Sequence, residues 1–295
     1  MRALVIGWAS FRHGEATAGD VLSMRKVDQA LSAMGLPHDL AWSPVFRPDD
    51  LSYEEVEPGR YSHVVFVCGP AQGWQVREMH QRFAHCRRIA VGVSVINPDD
   101  DAVTGFDEVF ARDHDGLAIP DLSVDVPTDE VLVAGVILAP TQREYGDFAR
   151  HADVHAAVTG WIAGVNCARV PLDTRLAPSD WERCETPDQF TSIVSHLDVV
   201  VTTRLHGLVL SLRSGVPALA IDPVAGGGKV TAQADALGWP ALVPAEEAHR
   251  TEVLDSWWRW CSSVQGRAVA ALRALPTDNE LVRDMVEALK PGSAR

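Results

Sequence analysis

Arg204 and His206 lie two residues apart and can together bind an anion and transfer a proton. Arginine keeps its positive charge and offers a planar fork of N–H donors that matches a phosphate or a carboxylate. Histidine is the side chain that gains and loses a proton near neutral pH. The pair therefore predicts acid–base chemistry on an anionic substrate. The structural alternative is an arginine paired with a neighbouring carboxylate and a histidine satisfied in the core.

The sequence around this pair predicts a strand followed at once by a helix. Asp198–Thr202 is a β-branched run, which is typical of a buried strand. Apolar residues at helical spacing begin at Leu205, and Gly215 ends this helix. Either Thr202 or Thr203 can cap its first turn. Ligands of open α/β sheets bind at the carboxyl ends of the strands, and a helix N-terminus favours an anion. This position favours a ligand-binding role for the pair.

Lys229 is a further cationic candidate, and it follows three consecutive glycines, Gly226–Gly228. A glycine run lets the backbone approach a ligand, and lysine can bring a charge to a phosphate or a carboxylate. The segment is not a P-loop, because Pro223 replaces the first glycine of that motif and Val230 replaces its Ser or Thr. The alternative for Lys229 is a solvated helix start.

The first half of the chain offers a similar candidate, Arg112. It follows the short predicted strand Glu108–Ala111, so it can point at an anion or pair with the adjacent Asp113. The acidic run Asp99–Asp101 has the DxD pattern by which some transferases hold a divalent metal, but a solvated loop is the expected explanation. We expect no metal site.

Three more candidates follow the first predicted strand, Ala3–Gly7. His13 and Glu15 lie near its carboxyl edge, where they can reach a substrate. Asp20 opens the next predicted helix, and capping of that helix explains this residue without any ligand.

Composition excludes some classes of partner. The 295-residue chain carries a net charge of −14, whereas nucleic acid and anionic membranes need a basic face. Its five cysteines form no Cys-x-x-Cys pair, which predicts reduced thiols. No apolar run approaches the roughly 18 residues of a membrane span, and the first residues resemble a strand more than a signal peptide. We therefore expect a soluble cytoplasmic protein.

Strand-like and helix-like segments alternate along the chain, which predicts parallel sheets covered by helices. One series runs from Ala3 to Ala111, and a second runs from the strand Val131–Leu138 to helices at 250–289. The Pro- and Asp-rich stretch Pro120–Asp129 between them is interpreted as a linker. We expect two Rossmann-like domains, 1–125 and 126–295, that face each other across a cleft.

The stretch from Asp198 to Lys229 resembles the polysaccharide pyruvyl transferase family. The similarity rests on Arg204–Gly207 (R-L-H-G), on Ser214–Pro217 (small residue, Gly, x, Pro) and on the lysine that follows. Looser similarities lie at Gly19–Asp20, at Cys68–Pro70, where many members have a glycine triplet, and at Ala111–Asp113.

The resemblance implies a GT-B-like fold and a reaction. A pyruvyl group would pass from phosphoenolpyruvate to hydroxyls of a sugar-containing acceptor, with formation of a ketal and release of phosphate, as in polysaccharide biosynthesis. The C-terminal domain would bind the donor and the N-terminal domain the acceptor. Phosphoenolpyruvate would be a co-substrate, and no cofactor is implied.

The resemblance also implies roles for the candidate residues. His206 and Arg204 would be catalytic, and His206 could donate a proton to the vinyl carbon or take one from an attacking hydroxyl. The donor-binding residues would be Arg204, Arg112, Lys229 and Gly207, and the acceptor-side candidates would be His13, Glu15 and Asp20. Two alternatives stay open: a GT-B glycosyltransferase that uses a nucleotide-sugar donor, and a non-catalytic homologue that binds an anion or a sugar.

Overall fold

A computed structural model describes residues 1–274 and 280–289 of the chain. The chain divides into two compact units, Met1–Asp129 and Glu130–Arg295. Each unit is a mainly parallel sheet with helices, so the predicted fold class of two Rossmann-like domains with parallel sheets is confirmed. Of the helices predicted at 250–289, the part at 275–279 lies outside the described residues.

The first unit contains a six-stranded sheet of order β2-β1-β3-β4-β5-β6, in which only the pairing of β6 with β5 is antiparallel. Its strands are β1 Ala3–Gly7, β2 His38–Leu40, β3 His63–Val67, β4 Arg87–Ser94, β5 Glu108–His114 and β6 Leu117–Ala118. Its helices are α1 Ala18–Ala33, α2 Trp74–Arg82 and α3 Asp101–Thr104, with 3₁₀ turns at Trp8–Ser10, Tyr53–Glu55 and Pro58–Arg60.

The second unit contains a five-stranded, fully parallel sheet of order β11-β10-β9-β7-β8. Its strands are β7 Val133–Ile137, β8 Ala168–Pro171, β9 Val199–Thr202, β10 Ala218–Ile221 and β11 Leu242–Val243. Its helices are α4 His151–Gly164, α5 Pro187–Val194, α6 Leu205–Arg213, α7 Lys229–Ala236, α8 Thr251–Cys261, α9 Val264–Arg273 and α10 Glu280–Ala288, with 3₁₀ turns at Arg143–Phe148 and Ala245–Glu247.

Apolar runs form these strands because both faces of each sheet are buried. In β1, Leu4 and Ile6 join one hydrophobic cluster, whereas Val5 joins the cluster on the opposite face. In β9, Val200 likewise faces away from the cluster that contains Val199 and Val201. Alternate side chains of a strand point to opposite faces, so each continuous apolar run fills two cores at once.

The two sheets share one strand order. Numbered within its own unit, the first five strands of each sheet lie in the order 2-1-3-4-5. In such a sheet the second strand lies on one side of the first strand and the third lies on the other side. Ligands bind in the crevice at the carboxyl ends of the first and third strands. In the first unit that crevice lies at the ends of β1 and β3. In the second unit it lies at the ends of β7 and β9.

The structure corrects four sequence-based predictions. Strand β5 continues to His114 instead of ending at Ala111. Pro120–Asp129 is not a free linker, because Asp121 pairs with Arg112 and Leu122 packs against the first unit's core. Asp20 does not cap α1; the N-cap is Thr17, and Asp20 closes the capping box from the N3 position. Strands β2, β6 and β11 and helix α3 were not predicted, and α7 was considered only through the alternative of a helix start at Lys229, which is present. None of the described helices is both long and apolar enough to cross a bilayer.

Candidate functional site

A pocket of about 230 Å³ opens at the carboxyl ends of β7, β9 and β10, which is the switch point of the second sheet. We call it the second-unit pocket. It is lined by Ala139, Gln142, Tyr145, Thr203, Arg204, Leu205, His206, Asp222, Pro223, Val224, Lys229 and Val230. The structure therefore brings three predicted residues, Arg204, His206 and Lys229, into one pocket.

Arg204 is the N-cap residue of α6, and its side chain is mostly buried. Its Nη1 donates to Oδ1 of Asp173 at 2.8 Å, so the predicted alternative of an ion pair with a carboxylate is present. Arg175 holds the other oxygen of the same carboxylate, with 2.7 Å between its Nε and Oδ2. Burial would raise the pKa of Asp173, but Arg175 and Arg204 together keep it below its usual value. Asp173 is thus shared between two guanidinium groups.

His206 lies in the first turn of α6 with its side chain exposed. Within the described part of the chain it makes no hydrogen bond or ion pair, so its ring nitrogens are open to a ligand. The predicted alternative of a histidine satisfied in the core does not apply.

The first turn of α6 has no side-chain cap. The prediction that Thr202 or Thr203 caps it was wrong, because neither hydroxyl accepts from an N–H group inside the helix; Oγ1 of Thr202 accepts from the N–H of Arg204, the N-cap residue, at 3.0 Å. Oγ1 of Thr202 donates to the carbonyl of Ile137 at 3.0 Å, and Oγ1 of Thr203 accepts from the N–H of Ala139 at 2.8 Å. An uncapped helix N-terminus leaves N–H donors free, and these attract an anion.

Gly207 brings α6 close to the sheet. A Cβ atom at this position would collide with the side chain of Thr202 and come within 3.3 Å of Ile137. This close approach requires glycine at position 207 whether or not a ligand is bound. The predicted role of Gly207 in donor binding stays a prediction, to which its packing adds a structural reason.

Lys229 begins α7 and is held at the pocket by Asp222. This fully buried carboxylate accepts from the backbone N–H groups of Val224, Gly228 and Thr231 at 2.7–3.1 Å and from the hydroxyl of Thr231 at 2.7 Å. Both carboxylate oxygens of Asp222 therefore accept hydrogen bonds from the loop and from the first turn of α7. In the described chain no carboxylate pairs with Lys229, whose ammonium lies 5.8 Å from the centre of the Tyr145 ring.

Two histidines of α4, the buried His151 and the half-buried His155, lie near the pocket wall. Nε2 of His155 lies 3.2 Å from Oγ1 of Thr203, and burial lowers the pKa of His155, as does the nearby His151. His151 is almost completely buried, and neither of its ring nitrogens has a hydrogen-bond partner among the described residues. Burial lowers the pKa of His151 as well, so both rings favour the neutral form.

Arg112 lies inside β5 rather than after it. Its guanidinium contacts Asp121 at 2.5 Å, Asp113 at 3.0 Å and the hydroxyl of Ser94 at 2.7 Å. The predicted pairing with Asp113 is therefore present, and these contacts occupy the donors of the side chain. Its role in donor binding stays a prediction that the geometry does not favour.

The acceptor-side candidates differ in their surroundings. His13 lines a pocket of the first unit, with its ring centre 6.5 Å from that of Trp74. Glu15 is exposed. Asp20 is engaged by Thr17, whose hydroxyl donates to Oδ2 at 2.7 Å. Of these three, only His13 lies in a pocket of the first unit.

Sequence reasoning missed Asp173, Asp222 and Tyr145. Asp222 follows β10 directly, and Asp173 follows β8 by two residues, so the strand-end argument that selected Arg204 would have found both. Tyr145 lies in a 3₁₀ turn with no periodic pattern, and nothing in the sequence distinguishes it.

Comparison with curated proteins finds none that matches the chain. Among solved structures, the chain is similar to MurG of Acinetobacter baumannii, with 11% identity, a TM-score of 0.35 and coverage of 98% of this chain and 100% of that one. The glycosyltransferase SnogD of Streptomyces nogalater is 15% identical, with a TM-score of 0.31 and coverage of 97% of this chain and 99% of that one. E. coli heptosyltransferase WaaC with ADP is 14% identical, with a TM-score of 0.27 and coverage of 88% of this chain and 99% of that one. The fold assignment therefore rests on the strand order described above.

A family model is the more specific finding. Residues 169–223 match the model of the polysaccharide pyruvyl transferase family. This segment contains Asp173, Arg204, His206, Gly207 and Asp222, and it ends before Lys229. The resemblance to the polysaccharide pyruvyl transferases that the sequence predicted is therefore confirmed over residues 169–223, the segment that carries Arg204 and His206.

Proposed function

We propose that this protein is a carbohydrate-modifying transferase that moves a pyruvyl group from phosphoenolpyruvate to two hydroxyls of a sugar-containing acceptor. The family match supports the coarser class, a carbohydrate-modifying transferase. The observation that carries the finer proposal is the second-unit pocket, where Arg204, His206 and Lys229 surround an uncapped helix N-terminus. Such a pocket suits a small dianion inside a chain of net charge −14.

Donor binding follows from the charges. The phosphate and carboxylate of phosphoenolpyruvate need several cationic or N–H donors, which Arg204, Lys229 and the first turn of α6 supply. Arg204 must turn from Asp173 towards the donor. Because Arg175 remains on the other oxygen of Asp173, that carboxylate keeps a partner while Arg204 is released.

The reaction requires a group in the pocket that can donate and accept a proton. Ketal formation adds a proton to the vinyl carbon C3 of the donor, and one acceptor hydroxyl bonds to C2 and loses its proton. A second hydroxyl then bonds to C2 as the bond between C2 and the phosphate oxygen breaks. The proton of this second hydroxyl passes to the phosphate or to solvent. His206 is exposed to the pocket and unpartnered, so it can deliver the first proton and recover one from the attacking hydroxyl. The donor supplies the transferred group, so this reaction needs no cofactor.

A glycosyltransferase with a nucleotide-sugar donor is the competing activity. A nucleotide sugar also carries phosphates, so Arg204, Lys229 and the first turn of α6 could bind either donor, and a direct measurement of donor binding separates the two activities.

The decisive experiment measures donor binding and phosphate release with the full chain. Calorimetry is expected to show saturable binding of phosphoenolpyruvate, and a panel of glycosides is expected to trigger release of inorganic phosphate together with a mass gain of one pyruvyl ketal. A Lys229→Ala variant should bind the donor more weakly, whereas Arg175→Lys, which keeps the charge on Asp173, serves as the control. Saturable binding of a nucleotide sugar without binding of phosphoenolpyruvate would contradict the proposal and favour the competing activity. Donor binding without turnover on any glycoside would favour a non-catalytic homologue.

A further inference from the structure

The wall of the second-unit pocket contains a buried hydroxyl to which the proposed function assigns no role. Thr203 lies between β9 and α6, lines the pocket and is only 1% exposed. Its backbone N–H donates to the carbonyl of Ile137 at 3.0 Å, which ties the residue to the end of β7. Arg204, which lines the same pocket, follows it directly. The sheet therefore fixes the backbone of Thr203 at the edge of the candidate site.

The hydroxyl of Thr203 has two neighbours in the protein. Its Oγ1 accepts from the N–H of Ala139 at 2.8 Å, and Nε2 of His155 lies 3.2 Å from the same oxygen. A hydroxyl has one proton to donate and two lone pairs that can accept. Ala139 occupies one lone pair, and the contact with His155 uses either the second lone pair or the proton. One hydrogen-bonding position of Oγ1 therefore remains open to a ligand.

The ring of His155 decides whether that open position gives or accepts a hydrogen. If Nε2 carries a hydrogen, the ring donates to Oγ1 and the hydroxyl proton is left for a ligand. If Nε2 is bare, the hydroxyl donates to the ring and presents a lone pair, which repels an anion. The hydrogen bond of one ring nitrogen determines which nitrogen is protonated. Within the described residues nothing accepts a hydrogen from Nδ1 of His155, so no partner there draws the hydrogen away from Nε2.

The other groups of the pocket favour a hydroxyl that points its proton inwards. Arg204 and Lys229 line the same pocket, and the uncapped first turn of α6 adds N–H groups. An anion that these groups attract also accepts a strong hydrogen bond from a neighbouring hydroxyl. Burial lowers the pKa of His155, but a neutral imidazole keeps one N–H group and can still donate to Oγ1.

We propose that Thr203 is a further phosphate-binding residue of the second-unit pocket, which donates its hydroxyl proton to a tetrahedral dianion, and that His155 is the positioning residue that turns this proton towards the pocket. The hydroxyl, the first-turn N–H groups of α6 and the side chains of Arg204 and Lys229 together suit a group with three terminal oxygens better than a carboxylate with two. As a site for a tetrahedral dianion the assignment stands by itself. That the dianion is the phosphate of phosphoenolpyruvate rests on the proposed function.

The first test measures sulfate binding to the isotope-labelled full chain by NMR titration. Sulfate is a tetrahedral dianion that does not titrate near neutral pH, and it has neither the vinyl group nor the carboxylate of phosphoenolpyruvate. Thr203→Val keeps the shape of the side chain and removes its hydroxyl. It should weaken sulfate binding about tenfold, the lower end of what a hydrogen bond to a charged group contributes. Thr203→Ser keeps the hydroxyl and should bind sulfate within about twofold of the wild type. An equal loss in both variants, or no loss in Thr203→Val, would overturn the role of the hydroxyl.

The second test is a double-mutant cycle, which leaves the bond between Thr203 and Ala139 intact when His155 alone is changed. His155→Phe should weaken sulfate binding about threefold in the wild-type chain and have no effect in Thr203→Val, because no hydroxyl is then left to orient. His155→Gln, whose side-chain amide can donate to the same oxygen, should bind sulfate within about twofold of the wild type. Equal effects of His155→Phe in both backgrounds, or no effect in either, would overturn the positioning role.

His151→Leu is the matched control for the cycle, because it removes the imidazole one turn earlier on α4. It should leave sulfate binding unchanged, and a loss equal to that of His155→Phe would show that packing of α4 is responsible, which would also overturn the positioning role. Phosphoenolpyruvate binding is measured on the same variants. Sulfate binding that depends on Thr203, without binding of phosphoenolpyruvate, would contradict only the proposed function. Phosphoenolpyruvate binding that is unchanged in Thr203→Val, or no binding of sulfate to the wild-type chain, would contradict only this assignment.

Discussion

The two units place a pocket at the same position of the same strand order, yet the two pockets differ in their charges. At the switch point of the second unit, Lys229 has no carboxylate partner and Arg204 shares its single carboxylate with Arg175. At the switch point of the first unit, Arg12 is paired with Glu54, Arg82 donates to backbone carbonyls, and Trp74 is 56% exposed. Both pockets thus lie where ligands bind in sheets of this strand order, and they differ in how their charged groups are paired.

A second comparison holds the residue types constant. Both units contain Arg-x-His, at Arg204–His206 and at Arg112–His114. The first pair begins a helix at the switch point, whereas the second lies in β5, two strands away from β3 in the sheet order. Arg112 is held by two carboxylates, and His114 lies 3.1 Å from Asp115. The same residue types therefore line a pocket in one unit and form ion pairs inside the sheet in the other.

The largest expected effect comes from removing His206. His206→Ala should lower turnover about 10²–10⁴-fold, which is the usual contribution of a general acid or base. Its melting temperature should stay near that of the wild type, because an exposed side chain contributes little burial. Phosphate release and thermal melting on purified variants are the measurements.

His114→Ala is the matched control for this substitution, because it removes the histidine of the second Arg-x-His. It should leave turnover within a few-fold of the wild type. Turnover of His206→Ala close to the wild-type value would remove His206 from the chemistry, and a similar loss in both variants would erase the distinction between the two pairs.

Removing Arg204 should weaken donor binding next most strongly. A hydrogen bond to a charged group contributes about 1.5–3 kcal/mol, so Arg204→Ala should reduce the affinity for phosphoenolpyruvate about 10- to 100-fold. Arg204→Lys should fall in between, because lysine keeps the charge but loses the fork. Calorimetry with Arg12→Ala as the control should show unchanged donor affinity. An equal loss in Arg12→Ala would show that the pairing of the charges does not separate the two pockets.

Acid should affect the stability of the two units differently. Beside Arg112, burial would raise the pKa of Asp121, but hydrogen bonds from Ser123 and from Arg112 lower it to about 2. A depressed carboxyl pKa contributes stability that is complete above about pH 4 and is lost only below it. The buried His151 has a pKa below the unfolded value of about 6.5, so its contribution is complete above about pH 6.5 and falls as the pH drops through that value.

His151→Leu should therefore flatten the pH dependence of stability. Between about pH 7.5 and 5.5 the melting temperature of the wild type should fall, and that of the variant should fall less. At the acidic end the free energy of unfolding of the variant should exceed that of the wild type by about 1 kcal/mol, because an unsatisfied buried polar group costs about 1–3 kcal/mol. His249→Leu, at an exposed histidine, should keep the wild-type slope. A slope unchanged in His151→Leu would mean that another group is responsible.

Local pattern predicted the position of the site well. The β-branched run and the helical spacing after it placed Arg204 and His206 at a strand–helix junction, and the structure has β9 and α6 there. The partner of Arg204 could not be predicted in this way. Asp173 lies 31 residues earlier, and it reaches Arg204 because β8 and β9 flank β7 in the sheet. That neighbourhood belongs to the tertiary structure.

The errors have physical causes of the same kind. The polar residues after Ala111 predicted the end of β5, but pairing of Asp113 with Ser94 of β4 extends the strand beyond its local propensity. The extent of helix α7 was not predicted, although a helix start at Lys229 was considered, because Val230 and Ala234 are its only buried residues, which is a weak amphipathic pattern over eight positions. Where long-range pairing decides the conformation, sequence periodicity cannot.

The smallest expected effect concerns Arg175. Arg204 has one carboxylate partner, which it shares with Arg175, whereas Arg112 has two carboxylate partners. If Arg175 keeps Asp173 paired while Arg204 turns to the donor, Arg175→Ala should strengthen the hold of Asp173 on Arg204 and weaken the affinity for phosphoenolpyruvate about two- to fivefold, the range expected of a partly exposed ion pair. Arg175→Lys should restore most of the affinity, and Asp173→Asn introduced together with Arg175→Ala should abolish the effect, because no carboxylate then competes for Arg204. Calorimetric titration of the three variants measures this coupling. Independent effects of the two substitutions would mean that Asp173 and Arg175 form a structural pair with no part in releasing Arg204.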